Sequence, residues 1–173
     1  MNTIEETIEV AVPVRTAYNQ WTQFKSFPRF MSTVKRVDQI RPAITHWVIR
    51  CGPVRCAFQA EIVHQRPDSS VVWRCLQRRP SHWGEVSFRS PAPERTQVTV
   101  RIEGTAGRVA SLLTNASSGL THRVVRRELG HFKEFIEGLG QESGAWRGSI
   151  HNGHVQPTEP DPPRSRVARW PVG

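Results

Sequence analysis

Residues 54–64 read Val-Arg-Cys-Ala-Phe-Gln-Ala-Glu-Ile-Val-His and place an apolar side chain at every second position over most of their length. This period is typical of a β-strand with one face turned to a core. Turn-forming residues bound the stretch, with Gly52-Pro53 before it and Pro67-Asp68-Ser69 after it. The pattern predicts one long strand, and its inward side chains are Val54, Cys56, Phe58, Ala60 and Ile62.

The same period continues on both sides of this strand. It predicts further strands over 4–12, 34–40, 44–50, 71–76, 84–88 and 97–103. From residue 34 onwards the strands follow one another with only short turns between them. Short connections of this kind predict an antiparallel meander.

Two segments have a helical period instead. Val14, Ala17, Tyr18, Trp21 and Phe24 are spaced three or four residues apart, and so are Val125, Leu129, Phe132 and Ile136 within 121–139. The element order is therefore strand, helix, a run of strands and a long C-terminal helix, which predicts an α+β fold. A sheet curled around one helix leaves a cavity suited to an apolar ligand.

Three segments carry a resemblance to a known superfamily. They are Thr-Ala-Tyr-Asn-Gln-Trp-Thr-Gln-Phe at 16–24, Phe-Pro-Arg-Phe-Met at 27–31 and Phe-Lys-Glu-Phe-Ile-Glu at 132–137. Together they resemble the START-like helix-grip (SRPBCC) superfamily, and within it the bacterial polyketide cyclase/dehydrase and coenzyme Q-binding type. The likeness covers about residues 3–148. It implies a curved antiparallel sheet of about seven strands wrapped around the C-terminal helix, with an internal cavity.

That resemblance implies more than one function. We expect the chain to bind a hydrophobic or aromatic small molecule, such as a polyketide-like compound, a quinone or a lipid. It could then act as a cofactor-independent polyketide aromatase/cyclase or dehydratase. The alternatives are a non-catalytic lipid or quinone carrier or chaperone, and a stress or assembly protein. We expect no cofactor, and no metal site, because His151 and His154 have no third ligand nearby.

Strand and helix parity selects the candidate ligand-binding residues. These are large aromatic side chains on the inward faces: Tyr18, Trp21, Trp47, Phe58, Trp73, Phe88 and Phe132. They predict an aromatic cavity lining, and the alternative is that they fill an ordinary core.

Polar side chains on the same inward parity are the catalytic candidates. His64 and His82 continue the inward series at strand ends, and Glu6 lies among Ile4, Ile8 and Val10. Histidine can move protons near neutral pH, and a carboxyl group in an apolar site would have a raised pKa. The alternative is that all three lie at strand ends beside water.

Composition limits the remaining classes of function. The 173 residues carry a net charge of +9 from 24 Lys and Arg, but these are scattered, so we expect no specific nucleic-acid partner. No apolar run reaches the roughly 18 residues that a transmembrane helix needs. Three cysteines without a CxxC pair favour a reducing, cytoplasmic location. We expect a monomer or homodimer, a ligand-binding domain over 1–148, and a disordered Pro- and Arg-rich tail over 149–173.

Overall fold

A computed structural model of the chain describes residues 2–51, 53–77, 82–104 and 118–156. Helix α1 spans Val14–Trp21, a 3₁₀ helix spans Phe24–Arg29, and helix α2 spans Ser118–Leu139. Pro13 precedes α1, where its missing amide hydrogen costs no helical bond. Gly140 follows α2 with a φ of +67°, a conformation that glycine adopts without strain.

Strands β6 and β7 alternate in burial over much of their length, as their sequence period predicts. In β6, for example, Gly84, Val86 and Phe88 are buried while their neighbours are more exposed. The strands are β1 (Asn2–Val10), β2 (Val34–Arg41), β3 (Ile44–Cys51), β4 (Val54–Arg66), β5 (Ser70–Cys75), β6 (His82–Ala92), β7 (Arg95–Gly104), β8 (Ile150–His151) and β9 (His154–Val155).

These strands form one antiparallel sheet. Seven of them follow the order β1-β7-β6-β5-β4-β3-β2, and the short β8 and β9 attach beside β4. Strands β2 to β7 therefore pair in chain order, and β1 closes on β7 with Ile4 opposite Ile102. The predicted α+β meander is confirmed.

The core lies between the sheet and the helices. Phe132 and Ile136 of α2 are fully buried, and Phe132 contacts Trp21 edge to face with ring centroids 5.2 Å apart. Neither described helix has the length and hydropathy needed to cross a membrane.

A β-bulge divides β4 into two parts. Ile62 pairs with Trp73, but the next pair is His64 with Val72, so Val63 is an extra residue on β4. An extra residue reverses which side chains face inward. Before the bulge Ala60 and Ile62 are buried, and after it the buried side chain is Gln65.

Ordered structure continues past residue 148. Ile150 is buried in the core and pairs with Gln65 of β4, and the described chain runs to residue 156. The folded unit therefore extends beyond the boundary expected at 148. Residues 157–173 of the expected tail lie outside the described part of the chain.

Candidate functional site

A cavity of about 210 Å³ lies between the sheet and α2. Its walls come from α1, the 3₁₀ helix, strands β2 to β7 and α2, so it is assembled from distant parts of the chain. The apolar side chains that line it are Trp21, Phe24, Phe27, Met31, Val34, Trp47, Ile49, Phe58, Ala60, Ile62, Val71, Trp73, Val100, Ile102, Val124, Val125 and Leu129.

Two aromatic rings form one wall of the cavity. Trp47 and Phe58 face each other across β3 and β4 and lie nearly parallel, with an interplanar angle of 5° and centroids 6.4 Å apart. The Trp47 indole nitrogen donates a hydrogen bond to Thr45 Oγ1 at 2.8 Å. This bond gives the indole N–H group a partner and fixes the orientation of the ring. This wall presents a flat apolar surface.

Four of the seven predicted aromatic residues line the cavity: Trp21, Trp47, Phe58 and Trp73. The other three, Tyr18, Phe88 and Phe132, are buried behind them in contact with each other or with Trp21.

Tyr18 is held by polar contacts on the side away from the cavity. The amide Nε2 of Gln65 donates to the Tyr18 hydroxyl at 3.0 Å. Burial raises the pKa of Tyr18 to about 12, so the phenol stays protonated. Sequence reasoning did not identify Gln65, because an unbroken strand parity from Ile62 places Gln65 on the outward face, and the bulge at Val63 reverses that parity.

His82 is the predicted histidine that lies in the cavity wall. Its ring meets Phe58 edge to face at 4.9 Å, and its Nδ1 is buried without a hydrogen-bond partner among the described residues. Burial lowers the pKa of His82, which keeps the imidazole neutral at neutral pH. A neutral imidazole can accept or donate one hydrogen bond at a free nitrogen.

His64 does not line the cavity. It follows the bulge, so its side chain leaves the inward series and contacts His151 of β8, with ring centroids 5.0 Å apart. No group of three potential metal ligands occurs in the described ranges.

Glu6 points inward as its parity predicts, but it meets α2 and not the cavity. Its carboxylate lies 2.8 Å from His122 Nδ1 and 3.2 Å from Arg126 Nε. Burial would raise the pKa of Glu6, but the hydrogen bonds and positive charge of Arg126 and His122 outweigh it and lower that pKa. The carboxylate is therefore an ion-pair partner, and the raised pKa expected for an apolar site does not arise.

A second carboxylate, which the sequence reasoning missed, reaches the cavity from α2. Glu128 lines the cavity with a side chain only 8% exposed. Ser32 Oγ donates to its Oε1 at 2.7 Å, whereas Oε2 is buried with no partner in the described structure. Its spacing in the sequence could have identified it, because Glu128 is three residues after Val125 and four before Phe132, on the inward face of the helix.

Comparison with solved structures shows the same fold in proteins of low sequence identity. A START superfamily protein from Mycobacterium smegmatis is 14% identical, with a TM-score of 0.60 over 79% of this chain and 95% of that one. The Zhui aromatase/cyclase of a Streptomyces species is 13% identical, with a TM-score of 0.62 over 81% of this chain and 98% of that one.

One relative is much closer in sequence. An uncharacterised 17.2 kDa protein of Streptomyces lincolnensis, from the melC2-rnhH intergenic region, is 41% identical over 150 residues, which cover 87% of this chain and 99% of the relative. The family model described as polyketide cyclase / dehydrase and lipid transport matches residues 10–134. The chain, with its antiparallel sheet, C-terminal helix and apolar cavity, belongs to this polyketide cyclase/dehydrase family.

Proposed function

We propose that the protein binds a hydrophobic, ring-containing small molecule in the cavity between the sheet and α2. The observation that carries this proposal is the nearly continuous apolar lining, which includes the flat Trp47–Phe58 wall. Apolar surface of this kind binds apolar ligands, and a few polar groups set their orientation. The description of the family, which combines polyketide cyclisation or dehydration with lipid transport, supports a ligand of this class.

Among such ligands the proposal favours aromatic, polyketide-like compounds over quinones and lipids. Its support is the planar aromatic wall, because aromatic rings gain from offset stacking and edge contacts in addition to burial. A structural neighbour named as an aromatase/cyclase points in the same direction, although at 13% identity it shares only the fold.

Tryptophan fluorescence tests the binding proposal. Trp21, Trp47 and Trp73 line the cavity, so micromolar hydroxynaphthoquinone should quench emission, and a short-chain ubiquinone should do so less strongly. Trp73→Ala should weaken binding, whereas Trp146→Phe should not, because Trp146 lies outside this cavity. If neither compound binds, or if Trp73→Ala behaves as the unmodified protein does, the proposal is wrong.

The enzymatic form of the proposal is cofactor-independent cyclisation or dehydration of a poly-β-ketone. In such a step a base removes a proton from a methylene carbon and the resulting carbanion attacks a carbonyl carbon. The alkoxide then takes up a proton, and loss of this hydroxyl with a second proton from the adjacent carbon releases water. His82 is our candidate for the proton transfers, because it is the catalytic candidate from the sequence that lines the cavity.

Product analysis with an unreduced poly-β-ketone distinguishes an enzyme from a carrier. His82→Gln should lower turnover about 10²-fold, the usual scale for one acid–base group, while His64→Gln is the matched control outside the cavity. Binding with identical product ratios in every sample, including one without protein, would contradict the enzymatic form. The predominance of apolar groups in the lining supports the carrier alternative, which that result would leave in place.

The proposal also includes a reducing, cytoplasmic location and a monomer or homodimer without a specific nucleic-acid partner. Its support is the state of Cys56 and Cys75, which are both free thiols. Size-exclusion chromatography with light scattering would test the oligomeric state.

A further inference from the structure

The Glu128 side chain belongs to the cavity wall, and one of its carboxylate oxygens lacks a hydrogen-bond partner in the described part of the chain. The side chain is 8% exposed and belongs to the cavity wall, and Ser32 Oγ occupies Oε1. Oε2 is buried and has no partner in the described part of the chain. A buried carboxylate oxygen without a hydrogen bond is unfavourable, so a group that completes it would be favoured at this position.

The basic side chains nearest Glu128 make no hydrogen bond to its carboxylate. Arg127 Nε and His131 Nδ1 lie 3.6 and 3.7 Å from Oε1, beyond hydrogen-bond distance. The Arg127 side chain is 54% exposed, whereas His131 Nδ1 is itself buried without a partner among the described residues. Ser32 therefore supplies the hydrogen bond to Oε1, and Oε2 has no donor in the described part of the chain.

The chemistry of a carboxylate defines what its partner must be. An ionised carboxylate only accepts hydrogen bonds, so a ketone, ether or quinone oxygen cannot satisfy it, whereas a hydroxyl group can. The cavity lining also includes His82 on β6, whose Nδ1 is another buried atom without a partner among the described residues. Because neutral imidazole can donate or accept, His82 would tolerate either kind of polar group.

The volume of the cavity limits the size of the ligand. At about 210 Å³ it is larger than the roughly 150 Å³ cavities that hold benzene and smaller than the roughly 300–1,000 Å³ pockets of drug-sized ligands. One or two fused rings match this space.

We propose that the cavity selects hydroxylated one- or two-ring aromatic compounds, whose hydroxyl group donates to Glu128 Oε2 while a second polar group faces His82. The inference rests on the proposed cavity function and deepens it. It makes Glu128 the residue that discriminates a hydroxyl from a carbonyl or ether oxygen.

Equilibrium dialysis with naphthol and its methyl ether tests this selection at neutral pH. The two probes share one ring system, but only naphthol can donate a hydrogen bond. The unmodified protein should bind naphthol about 10-fold more tightly or better, the scale of a hydrogen bond to a charged group. Glu128→Gln should reduce that ratio to less than about threefold, because an amide can also donate to the ether oxygen.

Glu134→Gln is the matched control, since Glu134 is an exposed glutamate on the same helix and lies outside the cavity. It should keep the full preference. Equal binding of both probes by the unmodified protein, or a preference that persists in Glu128→Gln, would overturn the role of Glu128 and leave cavity binding intact. Absence of binding by either probe would overturn this inference, and the hydroxynaphthoquinone titration would then decide separately on the proposed function. If Glu128→Gln fails to fold, the comparison of the two probes on the unmodified protein still decides whether a hydroxyl is selected.

Discussion

At the scale of single residues, Gly84 determines where the Trp73 indole can lie. The two residues are paired on β6 and β5, and a Cβ atom built at Gly84 would overlap the six-membered ring of Trp73. Glycine in a strand often marks such a close approach. The indole therefore lies over the backbone of the neighbouring strand and leaves the space beyond it to the cavity.

Gly84→Ala should displace the Trp73 indole toward the cavity. We expect a loss of about 1–3 kcal/mol in the free energy of unfolding, as for other overpacked cores, together with weaker hydroxynaphthoquinone binding. Urea denaturation and fluorescence titration measure the two effects. The control is Gly130→Ala in α2, where an added methyl group meets nothing within 4 Å and should stabilise by about 0.5–1 kcal/mol. Unchanged affinity in Gly84→Ala would contradict this account.

The residues of the cavity differ in how far the sequence alone could predict them. Strand parity identified Phe58 and Trp73, and the bulkier of the two alternating sets in β3 identified Trp47. Parity was not sufficient for His64, since a bulge is a property of strand pairing that one strand's sequence does not reveal. Glu128 was missed for a different reason. A charged residue on an apolar helix face looks like a break in the apolar pattern, and the sequence does not show that Ser32 is its hydrogen-bond partner.

At the scale of elements, polar contacts attach α2 to the edge strand β1. Glu6 pairs with His122 and Arg126 at one end of the contact. Toward the other end, Lys133 Nζ donates to the Glu9 carbonyl oxygen at 2.8 Å. These contacts hold the helix beside β1 and so help keep the cavity covered.

Glu6→Gln should weaken this attachment in a pH-dependent way. Because the pKa of Glu6 is lowered in the folded state, its stabilising effect is complete above the ordinary value of 4.5 and is lost as the pH falls through the lower folded value. We expect Glu6→Gln to be less stable by about 1 kcal/mol at pH 7, with the difference from the unmodified protein vanishing in acid. Urea denaturation across the pH range measures this, with the exposed Glu5→Gln as control. A difference that does not depend on pH would show that the charge of Glu6 is not what matters.

Elements with a long period were predictable, and short ones were not. Strand β4 and helix α2 contain enough repeats for the period to be clear. The strands β8 and β9 have two residues each, too few to show a hydrophobic period. The sequence therefore assigns them to the tail, and only the pairing of Ile150 with Gln65 identifies them as strands.

At the scale of the whole molecule, the segment after α2 ties distant parts of the chain together. The guanidinium of Arg147 donates two hydrogen bonds to Asp68, each 2.8 Å long, and a third to Asn19 Oδ1. The Trp146 amide donates to Thr22 Oγ1 at 3.1 Å. These bonds join the segment after α2 to α1 and to the turn after β4, and Ile150 then packs in the core.

Two truncations should separate this segment from the residues that follow it. A chain ending after Gln156 should melt within a few degrees of the full chain, because residues 157–173 are rich in proline and have no hydrophobic period. A chain ending after Ser149 also loses the side chain of Ile150, which is 2% exposed, and should be less stable by about 2–5 kcal/mol. Thermal unfolding followed by circular dichroism measures both. Similar melting temperatures for the two truncations would show that Ile150 contributes little.

The extra residue in β4, Val63, also helps to attach the β8–β9 hairpin to the sheet. Without Val63 the ladder would be regular, yet Ile62 and Gln65 would still face inward, so neither the ligand nor Tyr18 requires the insertion. Its distinct contribution is the Val63 carbonyl oxygen, which accepts a hydrogen bond from the Gly153 amide at 3.0 Å, between β8 and β9. The insertion therefore gives the terminal hairpin a second backbone attachment to β4, in addition to the pairing of Ile150 with Gln65.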